Sequence, residues 1–144
     1  MKITTAILNT KVTKNNRRYP IEVLEIIRDQ INSRKYEQNL GTIGFPEGLE
    51  IAVSDAAFRY SNAVIREQVL YVDIETIHTP KGIEFRRMIE ADHDLRFRPG
   101  GSATLEGPMP VETHNLLDVP KHVGRDYQLI TIAAITAEED AMNI

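Results

Sequence analysis

Cysteine is absent from the 144 residues, and with it go disulfides, thiolate zinc sites and cysteine nucleophiles. Such a chain loses nothing by folding in a reducing compartment. Long apolar runs are absent too. No stretch has the length to span a bilayer, and the opening residues MKITTAILNT lack the apolar core of a signal peptide, so cytoplasmic synthesis is expected. A strong charge of one sign is also missing. The net charge of −4 gives no push toward nucleic acid or an anionic membrane. The two basic runs, KNNRR (Lys14 to Arg18) and LRFRP (Leu95 to Pro99), are short and have acidic neighbours, so solvated loops are the plainer reading. His78, His93, His114 and His122 show no i, i+4 pair or other tight ligand spacing, and neither a metal site nor a cofactor is expected. Internal repeats and low-complexity runs are lacking as well.

What is present is an ordinary globular balance, 42% hydrophobic and 26% charged, in a length that suits one domain over residues 1–144. Lys2 to Thr10 mixes β-branched and apolar residues and predicts a first strand. Pro20 suits the first position of a helix, and Ile21, Leu24, Ile27 and Ile31 recur at helical spacing up to Ser33. LEIAVSDAAFRY predicts a short strand leading into a turn, and SNAVIREQ and QVLYVDIETI (Gln68 to Ile77) predict two stronger strands. In the last, Leu70, Val72 and Ile74 alternate with polar residues, so one face is buried and the other wet. Thr79 and Pro80 read as the cap and first residue of a second helix with Phe85, Met88 and Ile89 on its apolar stripe. FRPGG should break the chain before a short strand in SATLEG. Residues 107–120 carry three prolines, Pro108, Pro110 and Pro120, and read as a long loop. Tyr127 to Ile135 predicts a strand buried on both faces, and residues 136–144 a tail that is flexible or bound to a partner. Strands with two or three helices in one small domain point to an α+β fold or a helix-decorated barrel.

Four stretches, NNRRYPIEVLEII, LGTIGFPEG, HTPKGIEFRRMIEAD and YQLITIAAITAEEDA, stand in an order that resembles the phage prohead proteases. These are capsid-maturation serine proteases that share the herpesvirus-protease barrel, and the resemblance runs over nearly the whole chain. It implies a single small β-barrel-like domain decorated by two or three helices. It also implies where catalysis should sit, and there the chain departs. The general base of the family is a histidine before the proline of the second motif, where this chain has Phe45. The nucleophilic serine should fall within Arg98, Pro99 and Gly100. Phenylalanine accepts no proton, and neither arginine nor proline serves as an acyl acceptor. A loop that keeps its shape and fills the vacated site with apolar bulk is expected, with Phe45 in the core.

Substitutes stand nearby. Ser102 follows two glycines, and His93 and His78 precede the same stretch, although a serine there is usually a turn residue and His78 has a plain role at a strand end. Asp92 and Asp94 flank His93 as a solvated pair, and Glu47 suits its own turn. A buried arginine at Arg98 needs a carboxylate, with Glu47 and Glu106 as candidates. With the catalyst missing, the resemblance implies a non-catalytic virion component: a capsid decoration or cement protein, or a minor head protein, in many copies or as a homo-oligomer against the major capsid or scaffold protein. Arg96, Arg98, Pro108, Pro110 and Pro120 are the candidate contact residues. An active maturation protease with a relocated Ser102–histidine pair and a small phage protein that inhibits a host factor are the alternatives.

Overall fold

Apolar side chains at helical spacing give α1 (Ile21–Ser33) one buried stripe, made of Val23, Leu24, Ile27 and Ile31. Ile21 packs at its margin, half-buried. The polar residues near the end of α1 also bind: Asn39 donates from Nδ2 to the Ile31 carbonyl at 3.1 Å, satisfying one of the carbonyls a helix end leaves open. In the computed structural model the described residues are 1–11, 13, 17–48, 50–107 and 122–143. The loop residues Pro108, Pro110 and Pro120, together with His114, lie outside them.

Among the described residues seven strands form one sheet: β1 (Lys2–Asn9), β2 (Arg17–Arg18), β3 (Leu40–Ile43), β4 (Phe58–Arg66), β5 (Val69–Thr76), β6 (Leu95–Glu106) and β7 (His122–Thr136). The spatial order is β1-β5-β4-β3-β7-β2, with β6 antiparallel to β7 along nearly its whole length. Because β6 takes one edge of β7, the parallel strands β2 and β3 share the other, at residues 122–123 and 133–134. Gln30 of α1 occupies the gap between them. It donates from Nε2 to the Tyr127 carbonyl and accepts from the Leu129 amide, each at 2.8 Å, as a neighbouring strand would. Asn32 does the same for the bulge in β4, bonding the Ala63 carbonyl and amide, each at 2.9 Å. The sheet curls into a half-barrel whose edge strands β1 and β6 come within 8 Å at their Cα atoms, though no ladder joins them.

α2 (Pro80–Glu90) begins as its sequence dictates. Thr79 Oγ1 accepts from the Gly82 amide at 2.9 Å and donates to the Ala56 carbonyl at 2.6 Å. A Cβ on Gly82 would stand 1.9 Å from the Ile77 carbonyl oxygen, so only glycine fits. The helix carries Phe85 into a ring cluster with Phe58 and Phe97, at centroid distances of 4.9 to 6.0 Å, which ties α2, β4 and β6 together.

Several expectations change. FRPGG does not break the chain: β6 runs unbroken through Pro99, Gly100 and Gly101, because an edge strand tolerates proline and two register shifts absorb the irregularity. Val53–Asp55, expected in a strand, forms a single 3-10 turn before β4. β7 begins before Tyr127, and both of its faces are buried only from Thr131 to Ile135. The tail from Thr136 turns directly into α3 (Ala137–Asn143). There Thr136 Oγ1 accepts from the Glu139 amide at 3.1 Å while Glu139 accepts from the Thr136 amide at 3.3 Å, a reciprocal cap. Among the described residues no helix is long and apolar enough to cross a membrane.

Candidate functional site

β7 brings the two departures from the protease pattern together. Ile43 of β3 and Phe97 of β6 both lie opposite Ala134, so the ends of these strands are two ladder spacings, ~10 Å, apart. Gly44 then turns at φ +78°, with its amide donating to the Ala134 carbonyl at 2.8 Å, and sends Phe45 over β7 toward β6. A Cβ on Gly100 would stand 3.4 Å from Phe45 Cδ1 and 3.3 Å from Thr131 Cγ2. Phe45 is therefore not core: the residue is 40% exposed, and its ring abuts β6 at Gly100.

The result is a cleft of about 560 Å³. Residues 45–48 form one wall, residues 98–103 with Leu105 another, and Leu8, Arg17, Tyr19, Tyr127, Ile130 and Thr131 are among those that close it. Phe45, Glu47, Arg98, Pro99 and Ser102 thus meet in one place, although more than fifty positions separate the two segments. Tyr19 and Tyr127 pack edge to face at 5.8 Å. Burial pushes the Tyr127 phenol above its ordinary value, and Tyr19 beside it adds to the shift.

Arg98 is paired, but neither with Glu47 nor with Glu106. Its Nε and Nη2 donate to the two carboxylate oxygens of Asp140 at 2.9 and 3.1 Å, and its Nη1 donates to the Phe97 carbonyl at 3.1 Å. The topology explains the partner. β7 ends at Thr136 opposite Leu95, so the first turn of α3 falls back beside Arg98. Glu106 sits far along β6 and meets Arg125 at 3.4 Å instead, while Glu47 has no ion pair among the described residues. Arg96, two residues before Arg98 on the same face of β6, pairs with Asp94 instead.

The histidines go elsewhere. His78 lines a separate cleft of about 270 Å³ between the end of β5 and α2. His93 follows α2, its amide donating to the Met88 carbonyl at 3.1 Å. From the start of β6 to Ser102 the strand runs on the order of 20 Å, which carries Ser102 away from His93. His122 opens β7 as the ladder partner of Arg17. No histidine lines the larger cleft among the described residues, and none of them form a cluster of three or more metal-ligating side chains. Sequence reasoning missed Asp140, Arg17, Tyr19 and Tyr127. The acidic run after the last strand was the available signal for Asp140, whereas Arg17 and the tyrosines are brought in by strand register.

The half-barrel, with its cleft and the three helices of the described residues, is a protease-like fold. Among solved structures it is similar to the bacteriophage T4 capsid assembly protease gp21, with a TM-score of 0.68 and 20% sequence identity, over 93% of this chain and 80% of that one. No family model and no curated protein matches the sequence.

Proposed function

We propose that this is a non-catalytic phage head protein, a shell decoration or minor head component that binds the major capsid or scaffold protein. The fold it shares with a capsid assembly protease supports that setting. The observation that carries the non-catalytic reading is the convergence of Phe45, Arg98 and Pro99 in one cleft. At these positions a base and a nucleophile would be required, and here an aromatic ring and an ion-paired guanidinium stand instead.

A relocated Ser102 pair needs a base within hydrogen-bond reach. Ser102 does line the cleft, whereas His78 lines a different one and His93 precedes the far end of β6. Quantitative mass spectrometry of purified virions tests the reading. A copy number that is a simple fraction of the capsid subunit count is expected, together with no cleavage of capsid or scaffold protein by the purified chain. Absence from particles would overturn the head-component role. Cleavage lost in Ser102→Ala would restore the protease.

A further inference from the structure

The smaller cleft, beyond the end of β5, shares no lining residue with the larger one. Ile77 and His78 form one wall, and Ile83, Arg86, Arg87 and Glu90 of α2 form the other. The walls stand close because Gly82 lets α2 approach the Ile77 carbonyl. Charge on α2 does not balance. Its two carboxylates are both matched, Glu84 by Lys81 at 3.4 Å and Glu90 by Arg86 at 2.9 Å. Arg87 is left over, and its guanidinium has no ion pair among the described residues. The exposed ring of His78, on the facing wall, has no hydrogen bond among them either.

A guanidinium offers a fork of N–H donors and no acceptor, and an imidazole on the other wall adds a further donor. A cation in the last turn also suits the helix dipole, but the dipole does not account for an unpartnered imidazole facing it. A carboxylate would be satisfied by Arg87 alone. A phosphoryl group carries three acceptor oxygens, enough for donors from both walls. A run of phosphates fits poorly, because Glu84 and Glu90 share the helix and Asp92 and Asp94 follow it. The cleft of about 270 Å³ leaves space beside one phosphoryl group, and Ile77 and Ile83 make that remainder apolar, Ile83 being 48% exposed.

We propose that this smaller cleft binds a single phosphoryl group, with Arg87 and His78 donating to its oxygens from opposite walls. Ile83 lies where a small apolar body joined to the phosphate would pack. The site depends neither on the head-protein reading nor on the larger cleft.

Nuclear magnetic resonance of the full chain tests it, with inorganic phosphate as the probe and chloride at equal ionic strength as the control. The His78 ring and Arg87 Nε–H signals should shift together and saturate with a dissociation constant of about 1–10 mM. Arg87→Gln should weaken binding roughly tenfold and His78→Ala severalfold, while Arg28→Gln on α1 leaves it unchanged. Both cleft side chains are exposed, and unmoved ring signals from the buried Phe58 and Phe85 would show that the variants keep the fold. Should either variant unfold, the parent chain decides, by whether its saturable shifts are confined to the residues of this cleft. Phenyl phosphate separates the sources of the group. Tighter binding than inorganic phosphate, with the gain lost in Ile83→Ser, makes the ligand an ester; equal affinity makes it free phosphate. Shifts that never saturate, that chloride reproduces, or that persist undiminished in a folded Arg87→Gln chain would overturn the proposal.

Discussion

Phe45 and Arg98 occupy neighbouring walls of one cleft, yet they contribute to stability very differently. Phe45 is half-open to solvent, so Phe45→Ala should cost under ~1 kcal/mol by urea denaturation, whereas Phe58→Ala in the ring cluster should cost about 3–5 kcal/mol. Equal losses would put Phe45 back in the core. Arg98 and Asp140 are three-quarters or more buried and bidentate, and a double-mutant cycle between them should give a coupling of about 1–3 kcal/mol. A coupling near zero would mean that α3 is not tied to β6. Asp73 contributes to the pH dependence of stability. It accepts from Thr4 at 2.7 Å and Asn62 at 3.1 Å, with Lys2 at 3.8 Å, and these hold its carboxyl below the ordinary 3.8. The folded value is the lower one, so the unfolded chain binds the proton first as pH falls. The stabilisation is complete above the ordinary value and drains away as pH drops from there through the folded value. Asp73→Asn should flatten that acid limb in a series of denaturation curves. An unchanged limb would assign the loss to other carboxylates.

α1 acts through amide side chains as much as through its apolar stripe. Gln30 and Asn32 each make two bonds to strand backbone that has no strand neighbour there, and Gln30→Ala or Asn32→Ala should each cost about 1–3 kcal/mol in the same assay, since both leave paired groups unsatisfied. Losses no larger than those of an exposed-site control would show that water replaces the amides. These roles were not legible in the sequence. Periodicity reads which residues face the core, and it located α1, the alternation of β5 and the Thr79–Pro80 start of α2, because each rests on local spacing. It misread β6, because the breaking tendency of Pro99 and the glycines is local while the tolerance of an edge strand is set by β7, thirty residues on. The cleft was legible only in outline. Motif order named Phe45, Arg98 and Pro99, but Asp140, Arg17 and the tyrosine pair reach the site by tertiary register.

β7 is the centre of the fold: it pairs with β2, β3 and β6, and of these only β3 has a second strand partner. β1 waits for β5, some seventy residues away at Lys2 and Glu75. Pairings this distant put the fold among slow, non-local topologies. The order of synthesis adds a sharper consequence. While the chain is on the ribosome, β6 has no strand to join and β2 none to extend, so the cleft has no floor until β7 has emerged. Proteolysis of stalled nascent chains should find the β1-β5-β4 portion protected early and the β6 segment cut until the last strand is out. The cleft therefore exists only on chains in which β7 has been made, and fragments that stop short of it lack the site altogether.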